Sequence, residues 1–177
     1  REGVALGQNR KILQSVGYQN SGKTTLVEQL ITQATTEGFR VGTIKHHGHG
    51  GIPMVESSKD SVRHEKAGAS VTAVEGQGTL RMSIRRSCWQ LEDILNIYEA
   101  FQMDLIIIEG FKKEHYPKVV LLRRAEDQSL LQNVSNIICV LYWPTYPLDK
   151  PLAYPAFSIH EKAQYIDFLM QEIRRES

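Results

Sequence analysis

The chain is short of several things that would otherwise narrow its class. Its 177 residues include only two cysteines, Cys88 and Cys139, and neither stands in a C-x-x-C pair. That argues against a disulfide framework and a cysteine-based zinc ribbon, and it suits two free thiols in a reducing compartment. Long apolar runs are missing too: none reaches the roughly 18 residues a membrane-spanning helix needs. No secretory pattern opens the sequence, so the expected location is cytoplasmic. Charge of one sign is scarce, with 21 Lys+Arg against 20 Asp+Glu and a formal net charge of +1. Bulk electrostatics therefore offer nothing to nucleic acid or a membrane surface, and any anion site must be local. Internal repeats and low-complexity segments are absent. What is present is an ordinary globular composition, 41% hydrophobic and 23% charged, at a length that buries roughly 70% of the unfolded chain's surface.

One short stretch carries most of the chemical information. Residues 16–26 read VGYQNSGKTTL, and Gly17 through Thr24 satisfy G-x-x-x-x-G-K-[ST]. Chance alone supplies such a match in a chain of this size roughly once in two hundred. Glycines at Gly17 and Gly22 let the backbone turn tightly and bring its amides close to phosphate oxygens, including those at Asn20 and Ser21. The following helix points its positive end the same way. Lys23 reaches the β- and γ-phosphates as a point charge, and Thr24 offers a hydroxyl to Mg²⁺.

The surrounding pattern is that of an α/β sheet. KILQSV (11–16) reads as a strand, Thr24–Thr36 as an amphipathic helix stopped by Gly38, and RVGTIK (40–45) as a second strand. That is one βαβ unit. Residues 60–67 predict a short helix ended by Gly68. Residues 70–75 and 79–85, around Gly76-Gln77-Gly78, predict a hairpin. Ser87 is placed as the N-cap of a helix through Leu91, Leu95 and Phe101. Residues 105–108 (LIII) have the unbroken apolar character of a central parallel strand. Further strands are placed at 119–122, 137–142 and 156–159, and a final helix at 161–175. The expected class is α/β, a P-loop NTPase with a mostly parallel sheet, flanking helices and an inserted antiparallel hairpin. Residues 11–177 are taken as one nucleotide-binding domain and 1–10 as a flexible end or a remnant foreign to the fold.

A P-loop site also wants an acidic side chain at the end of a neighbouring strand. Glu109, at the C-terminal end of the LIII run, fits the metal role, whereas Asp104 stands at the wrong edge. Asp60 is a second candidate for metal or catalysis, with a plain helix N-cap as its alternative. After the second strand comes KHHGHGG. Here Lys45 and His46 are read as donors to a nucleotide or anionic substrate, while a solvated loop or a metal site using His46, His47 and His49 stays open. Tyr142 and Trp143 are read as packing residues or as stacking partners for a base. No N-K-x-D stretch marks guanine preference.

Taken together, GYQNSGKTTL, VGTIKHHGH, SKDSVRHEKAGA and DLIIIEGFKKEHYPKV resemble the MobB family, molybdopterin-guanine dinucleotide biosynthesis protein B. The order and spacing agree from about residue 11 to 175. The chain departs from the family pattern at His47 and Ser58. The resemblance implies a homodimeric P-loop protein that binds GTP with Mg²⁺, hydrolyses it slowly, and acts beside the guanylyltransferase (MobA-type) that joins GMP to molybdopterin. It implies that Lys23, Thr24 and Thr25 bind phosphate and metal. It places Asp60 and Glu109 in the active-site cleft, with Lys23 as the third catalytic residue. It also implies that Lys112 and Lys118 line the anion-binding side. Arg63 is considered as a charge-stabilising arginine. A small-molecule kinase with Asp60 as base, and a metallochaperone GTPase using residues 46–49, are the competing readings.

Overall fold

The computed structural model describes residues 10–46, 59–147 and 151–175. Its elements in chain order are β1 (Lys11–Gly17), α1 (Lys23–Thr36), β2 (Val41–Lys45), α2 (Lys59–Lys66), β3 (Val71–Gly76), β4 (Thr79–Ile84), α3 (Leu91–Glu99), β5 (Leu105–Glu109), β6 (Lys118–Leu122), a 3-10 turn (Ala125–Ser129), α4 (Leu130–Asn133), β7 (Ile137–Tyr142), β8 (Ala156–Ser158) and α5 (Lys162–Arg174). The chain divides into two compact units, one from residues 1–48 and 96–177, the other from 49–95.

The larger unit is built on six strands in the order β2-β5-β1-β6-β7-β8, every neighbouring pair parallel. A parallel sheet needs cover on both faces, and its central strands show it. Leu105 to Ile108 and Val119 to Leu122 are all fully buried. Alternate residues then sort to opposite faces. Leu13, Leu105, Ile107, Val119 and Leu121 pack with Leu26, Leu30 and Ala34 of α1 and Leu169, Met170 and Ile173 of α5. Val16, Val120, Leu122 and Val140 pack on the other face with Leu130 of α4 and Tyr146.

Helix α1 presents Leu26, Val27, Leu30 and Ala34 to the sheet at helical spacing. It ends in the αL glycine Gly38, at φ 90°. Two polar contacts tie it to α5. Tyr165 donates its hydroxyl to Gln29 Oε1 at 2.6 Å, and Arg174 grips the Glu37 carboxylate through Nε at 2.9 Å and Nη2 at 2.6 Å. That two-pronged grip holds the Glu37 carboxyl below the usual carboxylate range.

The other unit carries the hairpin. β3 and β4 pair antiparallel with Gly76 opposite Thr79, so the loop is two residues, Gln77 and Gly78. Both have positive φ, 51° and 77°, as a type I′ turn requires. Thr72 is buried and donates to Glu65 Oε1 of α2 at 3.1 Å.

The expected mostly parallel sheet, flanking helices and antiparallel hairpin are all found. One local expectation fails. Ser87 does not cap α3, which begins at Leu91; the Asp93 carboxylate reaches back to accept the Gln90 N–H at 3.1 Å, so the start is satisfied from within the helix. The turn and short helix over 125–133 leave no signal in the sequence, because their polar stretch has no amphipathic period. Cys88 and Cys139 are free, and burial pushes the Cys139 thiol up to about 12.

The end of α3 meets β2 at a glycine. A Cβ on Gly42 would lie 2.7 Å from Tyr98 Cε1, and the Tyr98 hydroxyl donates to the Thr43 carbonyl at 2.5 Å. Gly42→Ala is expected to destabilise the protein by about 1–3 kcal/mol through this overlap. Chemical denaturation showing an unchanged midpoint would rule that packing out.

Candidate phosphate-binding site

The loop between β1 and α1 is shaped by what its glycines lack. A Cβ on Gly17 would sit 2.4 Å from Ser21 Oγ and 3.1 Å from the Leu121 carbonyl. Only a bare Cα lets the buried Ser21 fold back over the strand end. Gly22 follows at φ 100° and Asn20 at φ 59°, both left-handed, and α1 starts at the next residue after Gly22.

Lys23 folds back into this loop, its ammonium 2.6 Å from the Tyr18 carbonyl and 3.5 Å from Ser21 Oγ. Burial pulls its pKa below that of an ordinary lysine; Glu109 pulls it back up, and Lys112 and Lys45 add to the lowering. Several positive charges thus crowd one loop in a chain of net charge +1, which is the local anion-seeking field that bulk charge did not supply.

Glu109 ends β5 directly beside β1, in register with Ser15. The Thr24 hydroxyl lies 3.2 and 3.3 Å from its two oxygens, and Lys45 at the end of β2 lies 3.2 Å from Oε1. Lys45 is well exposed, so that pair adds little stability. A carboxylate and a hydroxyl side by side at the mouth of a loop form a hard-oxygen donor set of the kind Mg²⁺ takes.

Beyond Glu109 the chain turns through two left-handed residues, Gly110 at φ 97° and Phe111 at φ 50°. Gln14 holds this bend, donating Nε2 to the Gly110 and Phe111 carbonyls at 3.0 and 2.9 Å. The bend sets the Phe111 ring against His46, centroids 4.6 Å apart, and brings Lys112 Nζ to 4.3 Å from the centre of the Tyr18 ring.

The structure therefore gathers Gly17, Asn20, Ser21, Gly22, Lys23, Thr24, Lys45, Glu109 and Lys112 at one end of the sheet. Thr25 is exposed in the first turn of α1, and His46 is exposed next to Lys45. Lys118 does not join the group. It is fully buried on the sheet face opposite α1, and its ammonium is taken up by the Glu114 and Tyr116 carbonyls. The expectation that it lines the anion side gives way to a role in holding the 110–117 loop. Asp60 lies in the other unit, pairing with Arg63 at 3.8 Å across one turn of α2 with both side chains more than 80% exposed. His47, His49 and Ser58 lie outside the described residues. Among the described residues, no three His, Cys, Asp or Glu gather as a metal cluster.

Two side chains from neighbouring strands grip the loop: Trp143, read above as packing or stacking, and Arg123, which nothing in the sequence singles out. Arg123, just past β6, donates to the Asn20 carbonyl, and Trp143, just past β7, donates Nε1 to the Ser21 carbonyl, each at 2.8 Å. The indole is thereby engaged in packing against the loop, the first of the two alternatives read for it. Their one sequence signal is position: each follows the C-terminal end of a buried strand.

A glycine loop joining β1 to α1, on a mostly parallel sheet with an acidic residue ending the adjacent strand, defines an α/β protein of the P-loop NTPase-like class. Comparison with known proteins is narrower. The profile of the MobB family, molybdopterin guanine dinucleotide synthesis protein B, matches residues 12–143. The probable molybdopterin-guanine dinucleotide biosynthesis adapter protein of Bacillus subtilis (strain 168) is 41% identical, covering 98% of this chain and 99% of its own. The molybdopterin-guanine dinucleotide biosynthesis adapter protein of Haemophilus influenzae is 32% identical over 78% of this chain and 76% of its own. Among solved structures, Bacillus subtilis MobB matches with a TM-score of 0.81 and 37% identity over 94% of this chain and 99% of that one. A MobB homolog from Bacillus stearothermophilus matches at 0.75 and 42%, over 92% and 97%. The chain belongs to the MobB family.

Gly17→Ala tests the loop geometry directly. The added methyl must displace Ser21, so a loss of about 1–3 kcal/mol of stability is expected. A variant with wild-type thermal stability would show that the loop absorbs the methyl without cost.

Proposed function

We propose that this protein is a GTP-binding adapter in molybdopterin guanine dinucleotide synthesis, with slow Mg²⁺-dependent GTP hydrolysis. The observation that carries this reading is the Thr24–Glu109 pair set beside the Lys23 loop. Main-chain amides of residues 20–22 and the Lys23 ammonium would take the phosphates, while Lys45 and Lys112 supply further positive charge at the rim. Thr24 and Glu109 would hold Mg²⁺, which when bound offsets charge on the phosphates as the terminal bond breaks. Slow turnover suits a site whose nearby arginine, Arg123, is already committed to the Asn20 carbonyl.

The adapter role is supported by membership in the MobB family and by its relatives, which are named as adapter proteins of molybdopterin-guanine dinucleotide biosynthesis. On this reading the partners are a molybdopterin guanylyltransferase and its pterin, and the place of work is the cytoplasm. No helix among the described residues is long and apolar enough to cross a membrane. The hairpin supports self-association. Val71, Leu80 and Met82 lie on one of its faces and are each more than half exposed. A face of that kind suits a second copy of the chain.

Two measurements decide the reading. Lys23→Ala should weaken Mg–GTP binding by about tenfold or more, as loss of a charge-assisted contact predicts. Glu109→Gln should remove the Mg²⁺ dependence. Equal affinity in all three proteins, or tight ATP binding with GTP excluded, would end the proposal. Sedimentation should give a dimer, and Met82→Glu should shift it toward monomer; a monomeric wild type at high concentration removes the dimer alone.

A further inference from the structure

Two side chains from just past the ends of β6 and β7 act on the loop's backbone. Arg123 Nη1 holds the Asn20 carbonyl and Trp143 Nε1 holds the Ser21 carbonyl, both at 2.8 Å. The guanidinium also lies over the indole, 5.1 Å from its centre. Arg123 is itself anchored. Its N–H and that of Arg124 donate to the buried Asp127 carboxylate at 2.7 and 3.1 Å, and its carbonyl accepts from Thr145 Oγ1 at 2.6 Å. Trp143 is held through its N–H on the Leu122 carbonyl at 2.9 Å, and its ring lies under Gly22.

These contacts set the direction of amides, because carbonyl and following N–H point opposite ways in a trans peptide, and no cis bond occurs among the described residues. Fixing the Asn20 carbonyl orients the Ser21 N–H, and fixing the Ser21 carbonyl orients the Gly22 N–H. Such control matters here. Peptides beside a glycine flip at little cost, and this stretch already holds left-handed residues at Asn20 and Gly22. The Ser21 N–H has only a long 3.4 Å contact to Tyr18 oxygen to hold it otherwise. A flipped peptide would turn a carbonyl oxygen toward the anion.

We propose that Arg123 and Trp143 are positioning residues of the phosphate cradle: they hold the Asn20 and Ser21 carbonyls outward, toward the ends of β6 and β7, so that the Ser21 and Gly22 amides face the anion. This rests on the phosphate-binding reading above. It assigns the Asp127 turn a purpose, since that turn anchors Arg123. It also makes Trp143 a reporter of occupancy, because its indole N–H is bonded to the backbone that meets the anion.

Inorganic tripolyphosphate is the decisive probe, having neither ribose nor base. Arg123→Met and Trp143→Phe should each weaken its binding by about three- to thirtyfold, with Mg–GTP affinity falling in parallel and Arg123→Lys recovering part of the loss. In a Trp89→Phe background, Trp143 is the remaining tryptophan of the two in the chain, and its emission should change on tripolyphosphate addition. This readout stands even if the substitutions at 123 and 143 fail to fold. Loss of GTP affinity with tripolyphosphate affinity intact would mean base contacts and overturn the proposal. So would unchanged binding in both variants, or silent Trp143 emission at saturating ligand. A wild type that binds neither ligand would overturn the phosphate reading itself.

Discussion

The loop after β1 depends on a missing atom. With no Cβ at Gly17, Ser21 can fold to within what would be 2.4 Å of that position and bury its hydroxyl against the strand end. Every later feature of the site inherits that turn. It places Gly22 in the left-handed region at φ 100°, starts α1 at Lys23, and sets Thr24 within hydrogen-bond reach of Glu109. The same closeness brings the Leu121 carbonyl near Gly17, so the loop lies on the end of β6 as well as β1.

The parallel sheet turns this local geometry into a site. Parallel strands end at the same edge, so β1, β2 and β5 deliver Gly17, Lys45 and Glu109 together although they are far apart in the chain. β6 and β7 end on the loop's other flank, and Arg123 and Trp143 emerge there to meet its carbonyls. The loop is thus held from below by a strand and from the side by two side chains, with charge arranged around it. Membership in the MobB family agrees with this arrangement without being needed to derive it.

Much of this was legible in residue order. Gly17, Gly22, Lys23 and Thr24 announce themselves because phosphate chemistry demands those types at that spacing. Glu109 is legible because an unbroken apolar run marks a central strand whose end carries ligands. Lys118 misleads for a physical reason. The family resemblance implies the anion-binding side for it, but strand alternation turns it to the face away from α1, where loop carbonyls absorb its charge. The grip of Arg123 and Trp143 on the loop is invisible for the complementary reason. Their partners are main-chain oxygens more than 100 residues away, and a carbonyl leaves no mark in a sequence.

By itself, then, the order of residues determined the class of fold, the loop, its lysine and hydroxyl, and the acid that faces them. These follow from local conformational demands and from hydrophobic periodicity, which act over a few residues at a time. Only the tertiary structure decided which lysines surround the loop, which one is spent on the sheet's far face, and which side chains pin the loop's peptides. Those outcomes depend on strand register and facing, and both are settled when distant strands pack into one sheet.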